Sequence, residues 1–253
     1  MNLEGRVAIV SGGSRGIGQG IALALAEAGA DVAINYRRND AAAEATVSHI
    51  EALGRRARAF KANVADYEEV KEMVAGVIDA LGKVDILVSN AGIASRGRFL
   101  ADTDVEEMHR VINTHLFGAF HLTKEALPYM RREKRGDIIF ISSRATLNLS
   151  PGHIPYAVAK SGLEAMAKCL AKEEMPNGIR VNIIGPGLVE TEMGRRLATA
   201  TRGVEDIKDL YATSAFGRVA QPADVGNLVA FLCSEEGGYI SGQVIYLAAS
   251  DEL

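Results

Sequence analysis

Along most of the chain, short apolar runs alternate with longer stretches in which apolar residues recur at helical spacing. The short runs are rich in β-branched residues and apolar throughout, which is typical of parallel strands covered by helices on both faces. Seven strands are predicted at residues 6–10, 31–35, 57–61, 86–89, 137–142, 180–184 and 243–247. Helices are predicted at residues 16–28, 41–53, 67–81, 105–132, 156–175 and 222–234.

The strict alternation of strands and helices predicts an α/β fold. We expect a single-domain Rossmann-type doubly wound parallel sheet of about seven strands, with helices on both faces. The length of 253 residues suits one such domain. Ligands of these sheets bind beyond the carboxyl ends of the strands, so residues that directly follow strands are the first candidates for a functional site.

The composition argues against several classes of protein. The net charge of −4 and the absence of tryptophan disfavour nucleic-acid binding. No run approaches the roughly 18 apolar residues of a membrane span, and the first residues lack the apolar core of a signal peptide, so a cytoplasmic protein is expected. Cys169 and Cys233 are predicted to be buried free thiols. The histidines show no metal-ligand spacing, so no metal is expected.

A glycine-rich segment follows the first predicted strand and opens the first predicted helix. Gly12 suits a tight turn, while the bare backbones of Gly16 and Gly18 allow a pyrophosphate and a neighbouring strand to approach closely. The pattern therefore predicts a dinucleotide site; the alternative is a helix N-terminus that needs glycines only in order to turn. Three further loop residues complete this part of the predicted cofactor site: Ser14, Arg15 and Ile17.

The end of the second predicted strand indicates which dinucleotide is bound. Units that bind NAD usually carry an acidic residue there, which reaches the ribose 2′-hydroxyl. Here the strand leads into Tyr36, Arg37 and Arg38 without a carboxylate at its tip, and Arg15 lies in the glycine-rich loop. Guanidinium groups suit a 2′-phosphate, so NADP(H) is the expected cofactor. The alternative is that these arginines are solvated surface residues.

A serine, a tyrosine and a lysine supply candidate catalytic chemistry. Tyr156 and Lys160 are four residues apart on one helix face, where the ammonium group is expected to lower the pKa of the phenol. Ser143 ends the fifth predicted strand and suits a hydrogen bond to a substrate carbonyl while Tyr156 donates the proton. The Tyr-x-x-x-Lys spacing alone is common, and a packed tyrosine with a surface lysine is its alternative interpretation.

Taken in order, these motifs closely resemble those of the short-chain dehydrogenase/reductase family. The motifs are the glycine-rich loop, Asn90-Ala91-Gly92, Ser143, Tyr156 with Lys160, and Pro186-Gly187 followed by Thr191. The resemblance implies an enzyme that passes a hydride between nicotinamide C4 and a carbonyl carbon, with the proton supplied by Tyr156. Within the family, the functional resemblance is to reductases of 3-oxoacyl thioesters, particularly those acting on acyl carrier protein.

The resemblance also implies roles for cofactor residues. Asn63 and Val64 stand where an Asp-Val pair usually touches adenine, Asn90 supports the cofactor side of the sheet, and Lys160 also holds the ribose. The remaining residues implied to border the cofactor are Ala91, Gly92, Tyr156, Pro186, Gly187, Val189 and Thr191.

One position departs from the family pattern. The family often places a catalytic Asn in the central helix, where it holds a proton-relay water, and the alignment puts His115 there. Asn113 lies roughly 200° around a helix from this position and is not expected to substitute. Either His115 carries the relay itself, or it is a packed histidine and the relay runs through a backbone carbonyl and water.

The expected substrate is a small-molecule carbonyl or thioester. Residues 191–221 have the length of a mobile substrate lid in this family. The residues expected to face the substrate are Arg96, Arg144, Thr146, Leu147, Ile154 and Leu188. The arginines, together with Arg98, predict a basic entrance for an anionic substrate, the alternative being dispersed solvated arginines.

The sequence gives less direct indications of carrier-protein docking and of subunit assembly. The basic cluster Arg131, Arg132, Lys134 and Arg135 suits an acidic carrier, whereas Asn177, at a position where a basic residue is expected, weakens that docking. The resemblance implies a homotetramer, although the run from Tyr246 to Ser250 replaces the usual acidic-Gly-Gly turn. Two alternatives remain: an NADP-dependent secondary-alcohol or sugar dehydrogenase and, from another class, a catalytically silent NADP(H) sensor.

Overall fold

The computed structural model describes residues 1–133 and 135–248, and within them seven strands form one parallel sheet. The strands are β1 (Val7–Val10), β2 (Asp31–Tyr36), β3 (Ala57–Lys61), β4 (Ile86–Ser89), β5 (Gly136–Ile141), β6 (Ile179–Pro186) and β7 (Val244–Leu247). Their order across the sheet is β3-β2-β1-β4-β5-β6-β7. This confirms the predicted single-domain doubly wound fold.

Helices cover both faces of the sheet. They are α1 (Gly16–Glu27), α2 (Asp40–Ala52), α3 (Tyr67–Leu81), α4 (Val105–Ile112), α5 (Gly118–Met130), α6 (Ala145–Asn148), α7 (Ile154–Glu174), α8 (Glu192–Arg202) and α9 (Pro222–Cys233). Short 3-10 turns lie at Leu100–Asp102, Met175–Asn177 and Ile207–Thr213. Successive strand residues point to opposite faces, so Val7 and Ile9 join one apolar core with α3, α5 and α7, while Ala8 and Val10 join the other with α1, α2 and α9.

The direction of winding reverses at β1, whose neighbours are β2 and β4. A crevice therefore opens between the carboxyl ends of β1 and β4, where ligands of doubly wound sheets bind. Gly12 follows β1 and Asn90 follows β4, so both predicted cofactor motifs lie at this edge.

The helix predicted at residues 105–132 is not continuous, and that prediction is wrong. A π turn, Asn113–Phe117, separates α4 from α5. A π turn inserts one residue into the helical repeat, which apolar spacing alone does not reveal, and such turns often lie at functional sites. The turn carries His115 into the interior, whereas Asn113 is exposed.

Three further features differ from the sequence predictions or extend them. Cys169 is exposed, because it shares the outer face of α7 with Ser161 and Ala165, whereas Cys233 is buried as predicted. Residues 191–221 contain α8 and a 3-10 turn, which pack around a small apolar cluster. No helix in residues 1–133 or 135–248 is long and apolar enough to cross a membrane. Lys134, Ala249 and Ser250 lie outside the described residues.

Candidate active site

The side chain of Ser11 joins the exits of β1 and β4. Its hydroxyl oxygen accepts hydrogen bonds from the backbone N–H groups of Asn90, at 2.9 Å, and Ala91, at 3.0 Å. In return, Asn90 Nδ2 donates to the Ser11 carbonyl oxygen at 2.9 Å and lies 3.4 Å from that of Gly12. These bonds fix the glycine-rich turn against the residues that follow β4.

The glycine-rich turn brings bare backbone to the start of α1. Gly12 and Gly16 have φ angles of 65° and 57°, which favour glycine. A Cβ atom on Gly18 would lie 2.2 Å from the Gly12 carbonyl oxygen, so only glycine fits there. In the described chain no side chain caps the start of α1, and its first turn carries no acidic residue. The unpaired N–H groups and the positive end of the helix therefore fit a dinucleotide pyrophosphate.

Two exposed arginines follow β2. Arg37 and Arg38 form no ion pair with any residue that the structure describes, whereas Arg15, in the glycine-rich turn, lies 2.7 Å from Glu192 of α8. The Tyr36 hydroxyl donates to Asp40 at 2.8 Å, and this bond raises the pKa of Tyr36. The guanidinium groups of Arg37 and Arg38 are thus accessible to an anionic ligand.

The other predicted cofactor residues lie at the same edge of the sheet. Beyond β3, Asn63 Oδ1 accepts the Ala65 N–H at 3.3 Å and Val64 is buried. Pro186 ends β6, and the chain then passes Gly187 and the buried Val189 to Thr191, which caps α8. A Cβ atom on Gly16 would lie 3.3 Å from Thr191 Cγ2, so the exit of β6 closes against the glycine-rich turn. In the glycine-rich turn, Ser14 is buried and Ile17 is half-buried.

Ser143, Tyr156 and Lys160 come together beyond the end of β5. Ser143 follows that strand, while Tyr156 and Lys160 are one turn apart on α7. The Ser143 hydroxyl hydrogen-bonds the Tyr156 phenol. Lys160 Nζ lies 5.7 Å from the centre of the Tyr156 ring and donates to the Ile141 carbonyl oxygen at 2.6 Å. A hydroxyl, a phenol and an ammonium group in this arrangement suit proton transfer to a carbonyl oxygen.

Burial dominates the ionisation of these groups. It raises the pKa of Tyr156 above 10.0, and the hydrogen bond with Ser143 opposes the increase. It also lowers the pKa of Lys160 from 10.5 to about 7, against the attraction of Glu164. The lowered Tyr156 pKa expected from sequence is therefore wrong for this structure, because loss of water around the phenolate outweighs the hydrogen bond with Ser143.

His115 lies between Tyr156 and the residues after β4. Its side chain is buried, with the ring edge-on to Tyr156 and the ring centres 5.2 Å apart. The Nε2 atom is 2.8 Å from the Ile93 carbonyl oxygen and 3.0 Å from the Ile93 amide nitrogen. Among the described residues, Nδ1 has no hydrogen-bond partner. Burial, followed by the charge of Lys160, lowers the His115 pKa to about 3, so the ring is neutral near pH 7.

The residues predicted to face the substrate divide by orientation. Leu147 and Ile154 are exposed between Ser143 and Tyr156, and Leu188 packs against the apolar cluster under α8. The Thr146 hydroxyl instead points inward, 3.0 Å from Glu164 Oε1, so it is engaged within the protein and turned away from the predicted substrate side. Arg144 is buried, and its backbone N–H donates to the Pro186 carbonyl oxygen at 3.1 Å.

Acidic partners balance the arginines at the predicted entrance. Arg96 lies 2.9 Å from Asp104 and 3.7 Å from Glu107, and Arg98 lies 3.5 Å from Asp104. Within the basic cluster, Arg131 pairs with Glu174. These pairs reduce the positive field expected at the entrance.

Four polar residues near the site were not predicted as site residues: Ser11, Asn35, Glu164 and Tyr246. Buried at the end of β2, Asn35 donates from Nδ2 to the Ala62 carbonyl oxygen at 2.9 Å and accepts the Gly12 N–H at 3.4 Å. A polar residue closing an apolar strand was the available signal for Ser11 and Asn35. For Glu164 the signal was a carboxyl group four residues after Lys160, on the same helix face.

Comparison with known proteins agrees with this geometry. Residues 12–249 match a protein family described as Enoyl-(Acyl carrier protein) reductase. The chain is 39% identical over 241 residues to the 3-oxoacyl-[acyl-carrier-protein] reductase of Staphylococcus aureus, covering 95% of each chain. It belongs to the short-chain dehydrogenase/reductase family. The corresponding reductase of Thermotoga maritima is 34% identical over 245 residues, with 97% of each chain covered.

Solved structures of short-chain dehydrogenases share the whole fold. A short-chain dehydrogenase from Burkholderia cenocepacia in complex with NADP superposes with a TM-score of 0.89 at 35% identity, covering 98% of each chain. A 7α-hydroxysteroid dehydrogenase in complex with NADH and 7-oxo glycochenodeoxycholic acid gives 0.90 at 31% identity, covering 98% of this chain and 95% of that one. The protein is thus an oxidoreductase of the short-chain dehydrogenase/reductase family.

Proposed function

We propose that the protein is an NADP(H)-dependent reductase that converts the 3-oxo group of an acyl thioester to a secondary alcohol. The observation that carries the proposal is the convergence of Ser143, Tyr156 and Lys160 at the edge of the sheet that also bears the glycine-rich turn. The 3-oxoacyl-[acyl-carrier-protein] reductases at 34% and 39% identity support the substrate class.

The site residues divide the chemistry among them. The glycine-rich turn would hold the dinucleotide at this edge of the sheet, from which it would supply a hydride to the carbonyl carbon. The Ser143 hydroxyl hydrogen-bonds the carbonyl oxygen, and the Tyr156 phenol, kept protonated by burial, donates its proton to that oxygen. The Lys160 ammonium then stabilises the phenolate that remains on Tyr156. His115 is neutral and its Nδ1 atom has no partner in the described chain, so we assign to Nδ1 the acceptance of a hydrogen bond while a proton returns to Tyr156.

Cofactor choice rests on the arginines at the end of β2. Arg37 and Arg38 are assigned to the 2′-phosphate, with Arg15 moving from Glu192 to join them. The NADP complex of the Burkholderia cenocepacia dehydrogenase supports this choice. Residues 191–221 are assigned as a lid over the substrate, which Arg144, Leu147, Ile154 and Leu188 help to enclose.

A second candidate function is an NADP-dependent dehydrogenase of a neutral secondary alcohol. The pairing of Arg96 and Arg98 with acidic residues favours it, because a balanced entrance gives an anionic substrate little attraction. The ligand of the related hydroxysteroid dehydrogenase carries a ketone that is not part of a thioester, which supports an alcohol dehydrogenase, whereas its acid group gives no support to a neutral substrate.

We also infer a homotetramer. The outer faces of α5 and α7 expose apolar or small side chains, among them Phe120 and Val158, and Phe117 is exposed at the end of the π turn. Packing against other copies of the chain would remove these side chains from water. Sedimentation velocity of the purified protein tests the stoichiometry, and a monomer would contradict it.

Turnover of defined carbonyls tests the proposed function. We expect the protein to oxidise NADPH with a 3-oxoacyl thioester, on coenzyme A or on acyl carrier protein, and Tyr156→Phe to abolish this activity while still binding NADPH. Tyr239→Phe changes a fully exposed tyrosine and serves as the matched control. Turnover only with neutral ketones supports the second candidate. Tight NADPH binding without turnover of any carbonyl indicates a sensor and contradicts both.

A further inference from the structure

Behind Ser143, three side-chain hydroxyl groups meet around one buried carboxylate. Glu164 on α7 is 8% exposed. Its Oε1 atom accepts a hydrogen bond from the Ser142 hydroxyl at 2.5 Å and lies 3.0 Å from the Thr146 hydroxyl. The Tyr246 hydroxyl, on β7, lies 3.5 Å from Oε2 and 3.1 Å from the Thr146 hydroxyl. A buried carboxylate is costly unless hydrogen bonds satisfy it, and these hydroxyls do so.

These contacts bracket the candidate catalytic serine. Ser142 immediately precedes Ser143, and Thr146, three residues later, also lies 2.9 Å from the Ser143 carbonyl oxygen. Glu164 therefore holds both ends of the short segment on which the Ser143 hydroxyl is carried. The segment connects β5 to α6, whereas the carboxylate belongs to α7, so the contact ties Ser143 to the helix that carries Tyr156 and Lys160.

The same carboxylate lies one turn from Lys160 on the buried side of α7. The titratable groups that face Lys160 in the described chain are Tyr156 and Glu164 on its own helix and His115 on the π turn. Of these, only Glu164 is a carboxylate. Its attraction opposes the fall in the Lys160 pKa that burial causes.

Tyr246 connects this group to the exit of β6. A Cβ atom on Gly185 would lie 2.5 Å from Tyr246 Cδ1 and 3.5 Å from the backbone carbonyl carbon of Ser143. The tyrosine ring therefore packs flush against Gly185, close to Pro186 and Gly187. From β7, the Tyr246 hydroxyl therefore reaches the Glu164 group while its ring lies against the exit of β6.

We propose that Glu164, supported by Tyr246, is a positioning residue for the reaction: it fixes Ser143 through Ser142 and Thr146, and it places a negative charge one helical turn from Lys160. The proposal rests on the proposed carbonyl reduction. Glu164 touches neither substrate nor cofactor and acts only through these neighbours.

Three variants test the proposal. Glu164→Gln keeps the shape and removes the charge, Tyr246→Phe removes one hydroxyl and keeps the ring, and Glu174→Gln is the matched control. Glu174 is also a buried carboxylate of α7, but it pairs with Arg131 at the far end of the helix. The measurements are kcat, the KM for NADPH, the pH profile of kcat, and the pKa of Lys160 followed by NMR of 13C-labelled lysine, assigned with Lys160→Met.

For Glu164→Gln we expect kcat to fall about tenfold, because small displacements of a catalytic group are costly, while the KM for NADPH stays nearly constant. Loss of the negative charge should move the alkaline fall in kcat and the Lys160 titration to lower pH, by about half a unit or more. Tyr246→Phe should lower kcat about threefold without moving the pH profile, because no charge is lost.

Two outcomes would overturn the proposal. One is that kcat and the Lys160 titration are unchanged in Glu164→Gln. The other is that kcat falls equally in Glu164→Gln and Glu174→Gln. The NMR titration needs no turnover, so it separates this proposal from the proposed function. If the wild-type protein reduces no carbonyl, the proposed function fails, and an unmoved Lys160 pKa in Glu164→Gln would still contradict the electrostatic role of Glu164.

Discussion

A Cβ atom on Gly92 would lie 2.4 Å from Cε1 of His115 and 3.0 Å from its Nδ1. The imidazole therefore occupies space that only a glycine at position 92 leaves open. Its Nε2 is held by the Ile93 backbone, so the ring cannot retreat without losing that hydrogen bond. The Asn90-Ala91-Gly92 segment thus shapes the place of His115 as well as the cofactor edge.

We expect His115→Ala to lower kcat by about tenfold or more, because the variant loses the only hydrogen-bonding ring beside Tyr156 and Lys160 in the described chain. Gly92→Ala should lower kcat similarly by displacing the ring. Steady-state kinetics of carbonyl reduction measures both effects.

The double variant Gly92→Ala/His115→Ala supplies the control for this interpretation. Without a ring to displace, the added methyl group should cost nothing further, so the two losses should not add. Additive losses, or nearly wild-type turnover in His115→Ala, would show that the histidine only fills space.

Much of this site could be predicted from local sequence. The strands are apolar enough to identify one by one, and Gly12, Gly16 and Gly18 mark the turn between β1 and α1. Helical spacing was sufficient to place Tyr156 and Lys160 on one face of α7. These inferences need only neighbours in sequence.

What could not be predicted depends on contacts between distant segments. The Thr146 hydroxyl turns inward because Glu164, on another helix, accepts its hydrogen bond. The Tyr156 pKa rises because burial, which sequence spacing does not measure, outweighs the hydrogen bond with Ser143. The π turn that carries His115 adds one residue to the helical repeat. The apolar pattern of the sequence does not reveal this extra residue and therefore predicts a continuous helix.

His115 should make the fold sensitive to acid. Burial lowers its pKa from 6.5 to about 3, so below pH 6.5 the unfolded chain binds a proton that the folded chain excludes. The resulting loss of stability is absent above pH 6.5, grows as the pH falls and reaches about 5 kcal/mol near pH 3. Urea unfolding of wild type and His115→Asn, near pH 7.5 and near pH 5, measures it.

Between those two conditions, the wild type should lose about 2 kcal/mol more than His115→Asn. His49→Asn changes an exposed histidine and should follow the wild type. A constant difference between wild type and His115→Asn would mean that His115 titrates normally in the fold.

Lys160 should carry a stability cost with the opposite dependence on pH. Its pKa falls from 10.5 to about 7 on folding, so the cost is complete below pH 7, declines as the pH rises and vanishes near pH 10.5. Its size below pH 7 is about 5 kcal/mol. Lys160→Met removes the charge, and its stability relative to wild type should be about 3 kcal/mol more favourable near pH 6 than near pH 9.

The lost hydrogen bond to Ile141 lowers the stability of Lys160→Met equally at both pH values, so it does not affect this comparison. Lys71→Met, at an exposed lysine, is the control and should show no such pH dependence. A difference for Lys160→Met that is the same near pH 6 and pH 9 would refute a strongly lowered Lys160 pKa. The expected gain in stability comes with loss of activity, as is common for buried catalytic charges.

Arg37 and Arg38 should set the preference for NADP(H) over NAD(H). Because neither arginine is tied to a carboxylate in the described chain, both are free to pair with the 2′-phosphate that distinguishes the two cofactors. In Arg37→Ser/Arg38→Ser we expect the KM for NADPH to rise about tenfold or more, with the KM for NADH and kcat nearly unchanged.

This rise in the KM for NADPH should be smaller at high salt, where the wild type also loses the attraction between its arginines and the 2′-phosphate. Arg58→Ser, at an exposed arginine on β3, is the matched control. Equal changes in the KM for NADPH and NADH would assign these arginines to the general stability of the site instead of to the phosphate.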